Sequence, residues 1–124
     1  MKGADEMLEK GSPLLDEILR FRDERDWRQF HSPKNLAEAV AVEAGELLEQ
    51  FLWLSTDESE HLPESRLQAV RDEIADIAIF VTYLCDVLNL DLERAVQDKV
   101  RANSVRYPVE KVRGVHTKYK ELGL

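Results

Sequence analysis

The sequence has one cysteine, no long apolar run and no glycine-rich loop, and each shortage excludes a class of protein. Cys85 alone cannot form a disulfide within the chain, which favours a reducing, cytoplasmic setting. The longest apolar stretch, Ile77 to Cys85, is far too short to span a bilayer, and the N-terminal MKGADEMLEKGS lacks the apolar core of a secretory signal. Without a glycine-rich phosphate-binding loop, any phosphate chemistry must rest on side chains and metal ions.

The charge balance is acidic, with 25 Asp and Glu against 17 Lys and Arg and a net charge of −8. This sign argues against a nucleic acid or a membrane surface as the partner. It favours a protein that binds cations, or that binds polyanions through a metal. A hydrophobic content of 44% over 124 residues is enough for one core, so we predict a single domain over 1–124.

Local signals predict four helices and no strands. Ser12-Pro13 and Ser32-Pro33 each supply an N-cap followed by proline at the first helical position. The predicted helices run from Pro13 to about Trp27, from Lys34 to about Leu54, from about Glu64 to Leu88, and from Asp91 to before Pro108. Residues 1–11 and 108–124 are predicted as tails, and STDESEHLPE as a polar loop. No window alternates apolar and polar residues, so the predicted fold class is all-α, a four-helix bundle.

Four carboxylates form two matching pairs, Glu43 with Glu46 and Glu73 with Asp76. Both pairs have i,i+3 spacing, which places the two acids of a pair on one face of a helix. If the second and third helices are antiparallel neighbours, the pairs lie on the same side and at the same height, about 15 Å from the connecting loop. We therefore predict one cluster of negative charge that requires a cation.

The apolar residues of these two helices repeat at alternating spacings of three and four, which predicts a helix–helix seam. The acids stand one residue before seam positions, so we expect them to flank the seam. The predicted seam consists of Ala37, Val40, Ala44, Leu47, Phe51 and Leu54 on one helix and Leu67, Val70, Ile74, Ile77, Val81, Leu84 and Leu88 on the other. From Ile77 to Cys85 the third helix is apolar nearly all round, which predicts burial on all sides and hence an oligomer.

Hard oxygen ligands suit Mg²⁺, Ca²⁺ or Mn²⁺ rather than Zn²⁺, and a carboxylate site with room for waters and phosphates is the usual arrangement for Mg²⁺. Taken singly, an E-x-x-E pair in such a charged chain is most simply a solvated helix face; two pairs at one height favour a metal site. A di-iron carboxylate bundle would need Glu-x-x-His motifs on core helices. The chain has only Glu58/His61, in the predicted loop, so we discard this alternative.

At this point the chain resembles the all-α nucleoside triphosphate pyrophosphohydrolases, the MazG-like enzymes, and among them the small dCTP pyrophosphatase branch. The resemblance rests on the acid motif and on four blocks in order: RDWRQFHSPKNLA (25–37), EAGELLEQFLW (43–53), DEIADIAIFVTYL (72–84) and KVRANSVRYPVEK (99–111). It implies hydrolysis of a nucleoside triphosphate between the α and β phosphates. The four acids would be the catalytic and metal-binding groups for Mg²⁺, with Mn²⁺ as a possible substitute.

The same resemblance implies a set of substrate-binding residues. Trp27, His31 and Trp53 match positions that hold the nucleobase, and the alternatives are core packing for the tryptophans and a loop hydrogen bond for the histidine. Lys99, Asn103 and Tyr107, spaced at i, i+4 and i+8, match the K…N…YP block and would contact phosphates. Glu49 could assist as an outer-shell acid, or could be a solvated helix residue.

Two hypotheses of different class follow. The first is a cytoplasmic, Mg²⁺-dependent enzyme that removes unwanted (d)NTPs, with a preference for dCTP or a modified dCTP, assembled as a homodimer or homotetramer. The second is a catalytically idle helical module that binds a nucleotide or a partner protein through its apolar third helix. The intact set of four acids favours the enzyme, because an idle relative need not keep all of them.

Overall fold

The computed structural model describes residues 11–116, and every regular element in that range is helical, which confirms the all-α prediction. The α-helices are α1 (Pro13–Glu24), α2 (Pro33–Glu49), α3 (Thr56–Ser59), α4 (Glu64–Val87), α5 (Leu92–Arg106) and α6 (Val109–Val112), and a 3₁₀ turn spans Arg28–Phe30. Among these, no helix has the length and apolarity needed to cross a bilayer. The predicted tails fall only partly in this range: Gly11 is described, and 108–116 include α6.

The two Ser-Pro start signals behave as the sequence predicts. The Ser12 hydroxyl accepts a hydrogen bond from the Leu15 amide at 3.2 Å, and the Ser32 hydroxyl accepts one from the Asn35 amide at 3.1 Å. Each satisfies an amide that the first helical turn leaves without a partner. The polar loop prediction was wrong in part, because Ser55 and Glu58 form a capping box that starts the one-turn helix α3.

Two helices end earlier than predicted. Helix α1 stops at Glu24, because Asp26 adopts a left-handed φ of 53° and the Trp27 amide donates back to the Arg22 carbonyl at 3.2 Å. This is a Schellman ending with aspartate in place of the usual glycine. Helix α2 stops at Glu49, and the chain to Leu54 continues in tighter i→i−3 turns rather than as α-helix.

The chain divides into two compact units, one up to Leu90 and the other from Asp91. The first contains α1 to α4, with α2 packed along α4 and α1 also against α4. The second contains α5 and α6. A single domain over 1–124 stays a prediction.

Three contacts fix the antiparallel register of α2 and α4. The Arg66 guanidinium on α4 donates to the carbonyl of Gln50, just past α2, at 2.7 Å. Near the middle of the pair, Glu43 faces Glu73. At the other end, the His31 ring, just before α2, lies 5.0 Å from the Tyr83 ring. Residue numbers fall on one helix as they rise on the other, which is the arrangement predicted from the short connection.

The predicted seam is packed at some positions and not at others. Val70 is buried at 7% exposure and Ile77 is half-buried, as predicted. Leu36, which lies outside the predicted seam, is buried at 1%, whereas the seam residue Ile74 is 54% exposed. The seam prediction was wrong at Ile74, where the neighbouring acid Glu73 is half-buried instead.

The helix from Ile77 to Cys85 is not buried on all sides within one chain. Tyr83 is buried, Ala78 is exposed, and the other residues of this stretch are half-buried. Apolar surface therefore remains on α4 that the rest of residues 11–116 does not cover.

Candidate active site

The carboxylates of three predicted site residues meet between α2 and α4. Glu43 comes from α2, and Glu73 and Asp76 come from successive turns of α4. One oxygen atom from each carboxylate lies within 4.8 Å of the other two. A cation placed among them could be bound by all three at once, as hard divalent ions require.

Two of these carboxylates are incompletely satisfied. The Oε2 atoms of Glu43 and Glu73 are buried, and neither has a hydrogen-bond partner within the part of the chain that the structure describes. A buried polar atom without a partner is costly, and two carboxylate oxygens side by side also repel each other. The donor set therefore fits a bound Mg²⁺ or Mn²⁺, which would satisfy both oxygens together.

The same crowding changes the acidity of Glu43. The neighbouring Glu73 carboxylate, with which a protonated Glu43 can share a hydrogen bond, is the largest cause, followed by burial and by Glu46 and Asp76. Together they raise the pKa of Glu43 to about 7. Glu46 is thus close enough to raise the pKa of Glu43. It is not one of the three carboxylates that meet within 4.8 Å, which are those of Glu43, Glu73 and Asp76. Glu49 is exposed at the end of α2.

His31 lies at the opposite end of the α2–α4 pair from Arg66. Its ring packs against Tyr83 with an interplanar angle of 31°, and its Nδ1 atom is buried with no hydrogen-bond partner among residues 11–116. Burial and the positive charge of Arg22 lower the pKa of His31. Tyr83 is seven residues beyond Asp76 on α4, or about 10 Å along the helix axis. His31 and the acids therefore lie along one side of α4, separated by roughly the length of a nucleoside.

The two tryptophans are not joined to His31 by direct contact. Trp27 is 44% exposed and packs edge-on against Phe21, with ring centroids 5.7 Å apart. Trp53 is 89% exposed in the turns after α2 and takes part in no aromatic pair within residues 11–116. Neither indole is buried among residues 11–116, and their role in binding a base stays a prediction.

The three predicted phosphate contacts belong to the second unit. Lys99 and Asn103 are exposed on α5, one helical turn apart. Tyr107 is half-buried just beyond the end of α5, and its amide donates to the Asn103 carbonyl at 2.8 Å. The first two therefore share a helix face as predicted, while Tyr107 follows the helix rather than lying on it.

Sequence reasoning missed a buried ion pair next to His31. Arg22 on α1 is 3% exposed, and its Nη1 atom lies 2.8 Å from Oδ2 of Asp86 on α4. The available signal was helical spacing: Arg22 follows the partly buried Leu15 and Ile18 by seven and four residues, on the face of α1 that packs inward. An arginine at such a position is rarely buried without a partner.

Comparisons with known proteins agree on one family. Residues 39–122 match the model of the MazG-like family. The chain is 40% identical over 116 residues to dCTP pyrophosphatase 1 of Mus musculus and 38% identical over 117 residues to that of Homo sapiens, covering 89% of this chain and 68% of each relative. A crystal structure of a pyrophosphatase from Archaeoglobus fulgidus is similar with a TM-score of 0.73 and 44% identity, covering 77% of this chain and 89% of that one.

The site predicts how stability depends on pH without metal. Glu43 has a pKa of about 7 in the folded state against 4.5 as an ordinary glutamate, so between these values the folded protein binds more protons than the unfolded chain. The free energy of unfolding that depends on Glu43 therefore falls as the pH rises from about 4.5 to 7 and stays low above it. In EDTA, we expect Glu43→Gln to gain thermal stability relative to the wild type as the pH rises from 5 to 8.

Thermal melts followed by circular dichroism at four pH values measure this difference. Glu38→Gln, which changes an exposed acid on the same helix, is the matched control and should follow the wild type at every pH. A constant difference between Glu43→Gln and wild type across the range would contradict the assignment. Added Mg²⁺ should stabilise the wild type most at pH 8, where the ligands are deprotonated.

Proposed function

Because the chain belongs to the MazG-like family, we propose that it hydrolyses nucleoside triphosphates, with dCTP or a modified dCTP preferred, to a monophosphate and pyrophosphate. Its similarity to curated dCTP pyrophosphatases and to a solved pyrophosphatase makes it a dCTP-diphosphatase-like hydrolase. The observation that carries the proposed reaction is the cluster of Glu43, Glu73 and Asp76 with its two unsatisfied oxygens. Removal of unwanted nucleotides from the pool is the corresponding cellular role.

In this proposal Glu43, Glu46, Glu73 and Asp76 hold Mg²⁺. When bound there, the ion would offset the charge of the triphosphate and lower the pKa of the attacking water. In the net reaction, water adds to the α-phosphorus and the bond to the bridging oxygen breaks, so pyrophosphate leaves. The acids of α2 and α4 supply a fixed negative site that selects a metal-bound triphosphate over the free anion.

The remaining proposed contacts are with the base at one end of the nucleotide and with the phosphates at the other. The base would be held by His31, Trp27 and Trp53, of which His31 is placed along α4 at a nucleoside's distance from the acids. The phosphates would be contacted by Lys99, Asn103 and Tyr107, through one ammonium group and two neutral hydrogen-bonding groups. Within the first unit, the α-phosphate would lie at the acids and the base near Tyr83.

We also propose that the active form is a homodimer or homotetramer. Large apolar side chains remain exposed on α2, on the turns after it and on α4: Val42 (58%), Leu48 (59%), Leu52 (52%), Leu67 (48%) and Ile74 (54%). Burial of apolar surface contributes about 25 cal/mol per Å², so pairing these helices with a second copy would be strongly favoured. The exposed Trp53 indole would then have a neighbouring chain beside it to complete a base pocket.

The first test is product analysis with a panel of dNTPs. Wild type should release pyrophosphate and the monophosphate in the presence of Mg²⁺ or Mn²⁺ and not in EDTA. Glu73→Gln should lower kcat about a hundredfold or more, the scale on which loss of a group that stabilises the transition state is felt. Asp72→Asn changes the adjacent, exposed acid on α4 and should leave kcat unchanged. Release of orthophosphate, or equal turnover by Glu73→Gln, would refute the proposed reaction, and no turnover with Mg²⁺ or Mn²⁺ would favour the idle module.

The second test concerns the base. A stacked base contributes about 1–3 kcal/mol, so Trp53→Ala should lower kcat/KM for dCTP about tenfold and lower the ratio of dCTP over dATP. Leu52→Ala, which shortens the neighbouring side chain (52% exposed, against 89% for Trp53), is the control and should keep the ratio. An unchanged ratio in Trp53→Ala would remove Trp53 from the base site.

The third test concerns assembly. The chain has a mass of 14.3 kDa, and light scattering at micromolar concentration should report a dimer or a tetramer. Leu48→Glu and Ile74→Glu place a charge on the exposed apolar surface and should shift the mass toward the monomer. A stable wild-type monomer with full activity would contradict the proposal.

A further inference from the structure

The buried arginine near His31 is held by two carboxylates. Arg22 donates from Nε to Oδ1 of Asp23 at 2.8 Å and from Nη1 to Oδ2 of Asp86 at 2.8 Å. A buried charge is tolerated only when it is paired, and Arg22 is paired twice. Arg28 reaches the same Asp86 oxygen at 3.4 Å, but its side chain is 52% exposed. Arg22 is therefore the fixed member of this cluster.

Arg22 also fixes the tyrosine that His31 packs against. Its guanidinium carbon lies 5.5 Å from the centroid of the Tyr83 ring, within cation–π distance. The Tyr83 hydroxyl donates to the carbonyl of Ile18 on α1 at 3.2 Å, and Tyr83 is only 4% exposed. Tyr83 is thus held at its ring and at its hydroxyl, and the His31 ring rests against it at 5.0 Å.

We propose that Arg22 is a positioning residue for substrate recognition: through the ring of Tyr83 it fixes the orientation in which His31 meets the polar edge of a nucleobase. This inference rests on the proposed function, which places the base at His31. Arg22 itself does not touch the substrate in this arrangement. Its role is to hold a rigid aromatic surface behind the imidazole, so that the ring does not have to be ordered when the ligand binds.

The charge of the imidazole is affected as well. Burial and, to a lesser extent, the positive charge of Arg22 lower the pKa of His31. Further charged groups on the neighbouring elements include Asp86 on α4, Arg28 on the 3₁₀ turn and Lys34 in the first turn of α2, with Asp23 beside Arg22 on α1. A neutral imidazole keeps one nitrogen as an acceptor and one as a donor.

The acceptor nitrogen of a neutral ring can accept a hydrogen bond from the amino group of a base such as cytosine, whereas an imidazolium offers donors only. Because Nδ1 of His31 is buried, and has no partner in residues 11–116, a base would meet the ring at its other nitrogen. A neutral His31 held in this orientation favours an amino-bearing base.

The decisive variant is Arg22→Lys, because lysine keeps the charge but lacks the planar fork that binds two carboxylates and stacks on a ring. We expect KM for dCTP to rise about tenfold while kcat stays within about twofold. This is the result expected when His31 is less well oriented for binding the base, since that contact is equally strong in the ground state and the transition state. Arg28→Met is the matched control: it removes the other guanidinium from Asp86 without contact to Tyr83, so KM should stay within about twofold.

Arg22→Met with Asp86→Leu removes the buried pair together, so that neither charge is left without a partner. This double variant should raise KM like Arg22→Lys. Its His31 imidazole resonances, identified by their loss in His31→Gln, should also titrate at a higher pKa than in wild type, while Arg22→Lys should keep the lowered value. Thermal melts check that each variant is folded at the assay temperature.

The outcomes separate the two proposals. If wild type releases no pyrophosphate, the proposed function fails, and the NMR titration of His31 still tests the influence of Arg22. If wild type is active but Arg22→Lys and Arg28→Met have the same KM, or if the double variant leaves both KM and the His31 pKa unchanged, the positioning role is wrong. A lower melting temperature with unchanged KM would show that Arg22 serves only the fold.

Discussion

Negative charge between α2 and α4 is the constraint on which the rest of the structure depends. Two helices that pack along each other ordinarily bury apolar side chains, yet here Glu43, Glu73 and Asp76 bring carboxylate oxygens within 4.8 Å of one another. In the metal-free protein, Glu43 relieves this repulsion by keeping its proton to about pH 7. A divalent cation would remove the need for that proton, so metal binding and folding of this helix pair are linked.

The contacts on either side of the acids counter their repulsion. At one end Arg66 binds the carbonyl of Gln50, and at the other His31 rests on Tyr83, which is itself held by Arg22. Hydrogen bonds and ring contacts at both ends keep the register fixed even where the middle of the interface would separate. The pair Arg22–Asp86 also joins α1 to α4, so the same residues secure the fold and place the proposed base-recognition group.

Much of this could be predicted from local signals, because helix caps and spacing act over a few residues. The Ser-Pro caps, the helical class and the meeting of Glu43 with Glu73 all follow from short-range rules. The early end of α1 could not be predicted, because the residue with the left-handed backbone conformation after the helix is Asp26 rather than the usual glycine. The Arg22–Asp86 pair was hidden for another reason: it joins residues 64 positions apart, and no local pattern indicates which carboxylate a buried arginine will meet.

The exposure of Ile74, a predicted seam residue, shows where apolar periodicity alone was misleading, and it links the site to assembly. Because the acids occupy positions on the face where α2 and α4 meet, Ile74 is turned outward and remains 54% exposed. The helix pair therefore gives up apolar contacts in its interior in order to hold charge there. The apolar surface displaced in this way is available to a second copy of the chain. Burial of that surface against the second copy would restore the lost hydrophobic stabilisation. An acidic centre and an apolar exterior are, on this view, two consequences of the same placement of glutamates and aspartate.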